Sequence, residues 1–330
     1  MNEIRTIEPF IRLGERLAEE LLDGTIEPVI RRSEAENPWF SRANVVSAIQ
    51  AVCVDMLDSR NLHSWLARYP AVGRPSDETI GIVMAGNIPL VGFFDLLCVL
   101  VSGHGCLVKP SAKDSVLMEH VVGLLREIDP SAPVRLYDGT SPVDAVIATG
   151  SDNANRYFRA HYAGIPSLLR GSRQSVAVLS GRETPEQLAG LADDIWAYSG
   201  LGCRSVSLIF APEGYEPALQ IPPVNDKYIN NYRQQRALLE MQGRSFVDLG
   251  CAVAVEQCAF PAALSRIAYA HYATLDEVAA WLAGHDGELQ CVVTGCLPHS
   301  RRAGFGCAQS PALTDYPDDR DVLAWLAALD

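Results

Sequence analysis

Cys203 is the residue whose surroundings best suit a nucleophile. It lies in Tyr198-Ser-Gly-Leu-Gly-Cys-Arg-Ser205. Glycines at 200 and 202 leave the backbone around the sulfur unobstructed and permit positive φ, so the chain can turn sharply and lift the thiol into a cleft. The segment falls between a predicted helix, Pro185–Tyr198, and a predicted strand, Ser205–Ala211, a setting in which functional groups often sit. A thiol is mostly protonated at neutral pH and needs local help to attack; Arg204 is a neighbouring source of positive potential. The alternative is a cysteine acting as a small apolar residue, which is the expectation for the other eight of the nine.

Three further positions sit at predicted strand ends. Asn87, in Gly86-Asn-Ile-Pro-Leu90, follows a β-branched run and could donate to a developing oxyanion; it could equally cap a helix starting near Pro89. Lys109 and Ser111, in Val108-Lys-Pro-Ser111, follow another short strand, and a lysine there could hold a ribose hydroxyl or a phosphate, or be an ordinary surface lysine. Gly150 and Ser151, in Ala148-Thr-Gly-Ser151, precede a helix; the pair suits close approach of an anion and also suits a plain N-cap. The chain has no GxGxxG, P-loop, HExxH or GxSxG. No CxxC occurs, and the seven histidines form no pair at ligand spacing, so no metal site is expected. His104, in Ser-Gly-His-Gly, is read as structural.

The elements that must position these residues follow from periodicity. Residues 1–70 read as helical: Arg5–Leu22 and Ala43–Leu57 step at helical intervals, with Ser41 and Asn44 as candidate caps near the start of the second. From Thr79 the texture becomes strand, helix, strand: Thr79–Ala85, Val91–Ser102, Cys106–Lys109, Ser115–Ile128, Val134–Tyr137, Asp144–Ala148, Asp152–Tyr162. That alternation marks a parallel sheet with both faces covered. A second alternating block starts at Ser175 and contains helices at Pro185–Tyr198, Asn225–Met241 and Leu275–Ala283, with strands near Ala252–Glu256, Ser265–Tyr269 and Leu289–Thr294. The tail, Asp319–Leu329, is amphipathic. The expected plan is α/β with two lobes, 1–174 and 175–304, and a C-terminal tail, 305–330, packing back on the first lobe or on a partner subunit.

Composition excludes several functions. With 330 residues, 48% hydrophobic and 20% charged, the chain can bury two cores. A formal net charge of -13 repels phosphate backbones and acidic lipids, so no nucleic-acid partner is expected. The richest apolar run, Ile82 to Val101, is broken by Asn87, Pro89 and Asp95, so no membrane span is expected. The N-terminus does not read as a secretory signal, and the expected location is cytoplasmic.

Taken in order, Asn87, Lys109-Pro-Ser111, Gly150-Ser151 and Cys203 resemble the aldehyde-dehydrogenase superfamily, whose chains carry an Asn, a Lys-Pro-Ser, a Thr-Gly-Ser and then the catalytic Cys. The resemblance is closest to its LuxC-type acyl-CoA reductase branch: GNIPLVGFFDLLCVL (86–100), ATGSDNANRYF (148–158), RQSVAVL (173–179), YSGLGCRS (198–205) and GFGCAQSPALTDY (304–316) all look like that branch. It spans roughly 79 to 316. It implies an aldehyde-dehydrogenase-like fold, with a Rossmann-type cofactor domain at 1–174 and an α/β catalytic domain at 175–304. By position it also implies roles. Cys203 takes the acyl group from acyl-CoA or an acyl-carrier protein. Asn87 and the Cys203 N–H stabilise the oxyanion. Lys109 and Ser111 bind the adenosine ribose or its 2′-phosphate, and Gly150 and Ser151 lie against the dinucleotide, NADPH, with NADH as the alternative. A homodimer is expected.

Three departures qualify the resemblance. The superfamily's hydrolytic members place a Glu, in Glu-Leu-Gly-Gly-Lys, where this chain reads Leu168-Leu-Arg-Gly-Ser-Arg173; without that base an acyl-enzyme waits for hydride. Phe94 stands where relatives often carry His, which leaves the general acid unassigned. Phe260-Pro261 resembles the superfamily's Phe-Gly-Pro stretch without a cleanly matching Glu before it. The expected function is an NADPH-dependent acyl-thioester reductase giving an aldehyde. The alternatives are an oxidising or hydrolytic aldehyde dehydrogenase and a non-enzymatic binding paralogue.

Overall fold

The sequence alternation closes into two separate sheets. A computed structural model describes residues 3–70 and 72–329. The chain divides into two compact units, Met1–Ser172 with Ala312–Asp330, and Arg173–Pro311.

The first unit opens with four helices: α1 (Glu3–Asp23), α2 (Glu27–Glu36), α3 (Arg42–Ala51) and α4 (Ser59–Leu66). Ser41 Oγ accepts from Asn44 N at 3.2 Å and starts α3, as its position predicts. A π-helical turn, Val52–Met56, prolongs α3, and Asp58 then caps α4. The sheet follows: β1 (Thr79–Val83), α5 (Phe93–Ser102), β2 (Gly105–Lys109), α6 (Ser115–Ile128), β3 (Val134–Leu136), β4 (Ala145–Thr149), α7 (Asp152–His161) and β5 (Ser167–Arg170). All pairings are parallel and the order is β3-β2-β1-β4-β5. The chain therefore winds outward from β1 to β3 and returns to the other side of β1. The winding reverses between β1 and β4, and the carboxyl ends there bound the crevice in which open α/β sheets bind ligands.

α5 is buried along its whole length, which its sequence, Phe-Phe-Asp-Leu-Leu-Cys-Val-Leu-Val-Ser, makes possible with one exception. Asp95 sits in its first turn, 6% exposed, and receives two hydrogen bonds from Nη1 of Arg170 at the end of β5, at 2.8 and 2.7 Å. The tail returns to this unit: Val322, Leu323 and Leu326 enter its core, and Trp65 Nε1 donates to the Tyr316 hydroxyl at 2.8 Å. Phe94 packs against Trp65 and Tyr316.

The second unit contains β6 (Gln174–Val178), α8 (Pro185–Trp196), β7 (Val206–Pro212), α9 (Asp226–Met241), β8 (Val247–Asp248), β9 (Val253–Glu256), β10 (Arg266–Tyr272), α10 (Leu275–Gly284), β11 (Leu289–Thr294) and β12 (Arg302–Ala303). The short tail helix that packs on the first unit is α11 (Val322–Ala327). The sheet order is β12-β11-β6-β7-β10-β9-β8, parallel except for β8 with β9. Thr184 and Gln187 form a capping box that starts α8, with Pro185 in its first turn. The helix ends at Trp196, two residues short of its predicted end, because the backbone turns left-handed at Tyr198. No described helix is long and apolar enough to cross a membrane.

Candidate active site

In the first unit the parallel register gathers three of the predicted segments at the carboxyl ends of adjacent strands. Val83 aligns with Lys109 on one side and Ala148 on the other, so the Gly86–Leu90 loop, Lys109 and Gly150 all follow carboxyl ends. Gly86 has no room for a side chain: a Cβ there would lie 2.6 Å from Ser111 Cβ. The Asn87 loop thus rests directly on the Lys-Pro-Ser segment. Asn87 is half-buried. It does not cap α5, which starts at Phe93 behind Gly92, so the capping alternative does not hold.

Lys109 is exposed, and its Nζ lies 3.6 Å from where a Cβ on Gly139 would stand. The turn holding Gly139 is fixed by Asp138, which accepts from the Ser141 and Thr140 amides at 2.8 Å; those bonds pull its carboxyl down to about 2. Ser111 Oγ accepts from Lys113 N at 3.3 Å. Gly150 packs on α7, where a Cβ would come within 2.9 Å of Ala154 Cβ and 3.2 Å of the Phe158 ring. Ser151 is the N-cap of α7, its hydroxyl accepting from Ala154 N at 3.4 Å.

His104 is fully buried, with Nδ1 2.7 Å from Ser102 Oγ, a structural setting. Among the described residues no cluster of three or more His, Cys, Asp or Glu could hold a metal ion.

In the second unit Cys203 is exposed, on the loop between α8 and β7. The sharp turn predicted before it exists, but it is not made by both glycines. Tyr198 (φ 51°), Ser199 (φ 57°) and Gly200 (φ 65°) are left-handed in succession, whereas Gly202 is not. Two non-glycine residues in that region each cost on the order of 1–3 kcal/mol, which the surroundings must hold in place. Ser175 Oγ, on β6, donates to the Cys203 carbonyl at 2.9 Å. Gln309 Nε2 donates to Ser205 Oγ at 3.2 Å. The expectation that all other cysteines are buried holds for Cys98, Cys106, Cys251 and Cys291; Cys53 and Cys296 are half-buried, and Cys258 and Cys307, in loops outside the sheet, are exposed.

One supporting residue was not foreseen. Asp194, on the inner side of α8 and 1% exposed, accepts from Gly306 N at 2.7 Å and Ala308 N at 2.9 Å. Gly190, one turn earlier, lets the same segment approach: a Cβ there would meet Gly306 N at 2.8 Å. The 304–309 stretch is thus clamped to α8 by Asp194 and to the cysteine loop by Gln309. A sequence signal existed, since Asp194 shares the apolar stripe of Leu191 and Ile195 while its neighbour Asp193 is exposed.

Burial raises the Asp194 carboxyl to about 6, against the pull of the two amides. Its folded value lies above its unfolded one, so the folded state binds more protons between about pH 4 and pH 6, and this group's contribution to stability falls as pH rises through that window. The expected result is that Tm of wild type minus Tm of Asp194→Asn declines from pH 4 to pH 7. A flat difference would contradict the assignment.

The chain is similar to known proteins at two levels. Residues 62–221 match the family described as Acyl-CoA reductase (LuxC), a stretch that contains Asn87, Lys109, Gly150, Ser151 and Cys203. Among individual proteins, the chain is 23% identical over 185 residues to long-chain acyl-protein thioester reductase 2 of Photobacterium leiognathi, covering 50% of this chain and 38% of that protein. It is 29% identical over 161 residues to the long-chain acyl-protein thioester reductase of Vibrio harveyi, covering 43% and 34%. The matched segment thus spans little more than a third of these relatives. Among solved structures, the NAD+ complex of an aldehyde dehydrogenase from Bacillus cereus superposes with a TM-score of 0.65 at 13% identity, covering 89% of this chain and 72% of that one. A benzaldehyde dehydrogenase from Corynebacterium glutamicum superposes with a TM-score of 0.64 at 14% identity, covering 88% and 76%. The family segment runs from the last helix before β1 to the connection after β7, and over that stretch the chain is similar to the LuxC family; the backbone as a whole has an aldehyde-dehydrogenase-like fold.

Proposed function

We propose that this chain reduces an acyl thioester to an aldehyde through an acyl-enzyme on Cys203. The observation that carries this reading is the exposed thiol just after a left-handed turn that includes the non-glycine residues Tyr198 and Ser199, inside the family-matched segment. Strained backbone of this kind concentrates at functional sites. The relatives' names, acyl-protein thioester reductases, support the same chemistry, with acyl-CoA or an acylated carrier as the thioester here.

The Cys203 thiolate adds to the acyl carbonyl, and as the carbonyl re-forms the bond to the donor sulfur breaks and the donor leaves as its thiolate. Asn87 donates to the oxygen that gains charge during the attack. A nicotinamide dinucleotide, when bound, supplies the hydride that takes the acyl carbon to the aldehyde level. The resulting thiohemiacetal then collapses, returns its C–S electron pair to Cys203 and releases the aldehyde. Hydrolysis is suppressed because the Leu168–Arg173 stretch carries no carboxylate to activate water.

The first unit fits the dinucleotide. Its sheet reverses between β1 and β4, Gly150 lets the chain pack closely on α7 there, and the α7 N-terminus favours an anion. Lys109 stands at the end of β2, where an acidic residue would select a free 2′-hydroxyl, so the reading favours NADPH over NADH. Lys109→Ala is expected to raise KM for NADPH about tenfold, equivalent to roughly 1.4 kcal/mol, with a much smaller change for NADH. Equal losses with both would refute a 2′-phosphate contact. The function itself is tested by mixing the protein with NADPH and a panel from acetyl-CoA to palmitoyl-CoA. One aldehyde per NADPH oxidised is expected, and carboxylic acid as the product would overturn the proposal.

A further inference from the structure

We propose that Asp114 is a positioning residue that holds the Asn87 loop in its working shape. The inference rests on the reading of Asn87 given above and concerns a residue to which that reading assigns nothing.

Asp114 occupies the N-cap position of α6, where an aspartate ordinarily accepts from its own helix. It makes no such bond. Its side chain is turned away, and Oδ2 accepts from the backbone N–H of Leu90 at 2.8 Å. Asp114 is 2% exposed, and its other oxygen, Oδ1, is buried without a hydrogen-bond partner. A carboxyl is thus taken out of water to serve one amide.

That amide belongs to the strained residue of the loop. Leu90 has φ 56°, a left-handed conformation that an L-residue with a side chain adopts reluctantly. Its side chain is buried, and its carbonyl accepts from Phe93 N at 3.0 Å as the chain enters α5. At the other end Gly86 lies flush against Ser111. Gly86–Leu90 is therefore pinned at both ends by the single segment Ser111–Asp114, and Asn87 lies between the pins. Asp114 N donates to the Ser111 carbonyl at 2.9 Å, which makes that segment one rigid turn. Burial also pushes the Asp114 carboxyl well above the usual carboxylate range, and an asparagine would keep an accepting oxygen in the same place.

A double-mutant cycle tests this, with NADPH and the best acyl-CoA of the panel. Asn87→Ala is expected to lower kcat about a hundred- to a thousandfold, as loss of one oxyanion donor does. Asp114→Ala is expected to lower kcat roughly ten- to a hundredfold while KM for both substrates stays within about twofold, and Asp114→Asn to recover most of that loss. In the Asn87→Ala background, Asp114→Ala should cost under about threefold, because it acts through the residue already removed. Multiplicative losses, a KM effect without a kcat effect, or a silent Asp114→Ala beside a damaged Asn87→Ala would overturn the Asp114 role alone. A silent Asn87→Ala would overturn the oxyanion reading instead. Independently of folding of the variants and of activity, hydrogen exchange on the wild-type protein should find the Leu90 amide among the most protected between residues 84 and 92; rapid exchange there would overturn the clamp.

Discussion

Cys203→Ala folds like the wild-type protein and loses aldehyde formation by at least about a thousandfold, since removing a nucleophile removes the covalent route altogether. The side chain is exposed, so its truncation leaves no cavity in the core. What holds the loop is elsewhere: the Ser175 hydroxyl binds the Cys203 carbonyl, and Gln309 binds Ser205. Cys258→Ala, at another exposed thiol, is expected to keep activity within about twofold, so the comparison separates a specific nucleophile from general thiol sensitivity. Turnover by Cys203→Ala near the wild-type rate would leave the acyl-enzyme without a carrier.

The second large effect is on stability. Asp95 and Arg170 are a charged pair buried in the first unit, 6% and 4% exposed. Nη1 of Arg170 reaches both carboxylate oxygens, while its Nε and Nη2 are buried without hydrogen-bond partners. Removing one partner strands the other charge in an apolar surround, so Asp95→Ala or Arg170→Met should each cost about 3–5 kcal/mol in urea unfolding. The double variant Asp95→Leu, Arg170→Met should be far less damaged than the sum of the two, because no lone charge remains. Single variants that lose less than about 1 kcal/mol would show that water reaches the pair. The pair ties the end of β5 to the first turn of α5, just beyond the Asn87 loop.

The order of elements was legible because this sheet is parallel and doubly covered. Runs such as Thr79–Val83 and Leu289–Thr294 are short, apolar and β-branched, and amphipathic helices separate them. The LuxC-type resemblance was legible for a different reason, the succession of Asn87, Lys109, Gly150-Ser151 and Cys203 across strand ends. β5 was not legible. Its four residues, Ser-Leu-Leu-Arg, carry no alternation, and their strand character comes from pairing with β4. The bounds of α2 and α4, inside the first 70 residues that read as helical, were not legible either, because these are short helices with a weak periodic signal.

Backbone strain was misplaced by sequence reasoning. Glycine marks where positive φ is free, but here the turn before Cys203 imposes it on Tyr198 and Ser199, and tertiary contacts decide that. The same limit hid Asp114 and Asp194. Asp114 sits where helix chemistry offers an ordinary explanation, an N-cap, and Asp194 stands out on the apolar stripe of α8 without anything local to name its partner. Their actual partners, Leu90 and the 304–308 segment, lie 24 and 112 or more residues away along the chain.

The most direct test of the central claim is the intact mass of the protein after incubation with the acyl-CoA panel, without any reductant. An adduct of the acyl mass is expected on the wild-type chain, absent from Cys203→Ala, that disappears as aldehyde when NADPH is added. An adduct that survives the Cys203→Ala substitution, or no adduct from any acyl-CoA or acylated carrier protein, would contradict it.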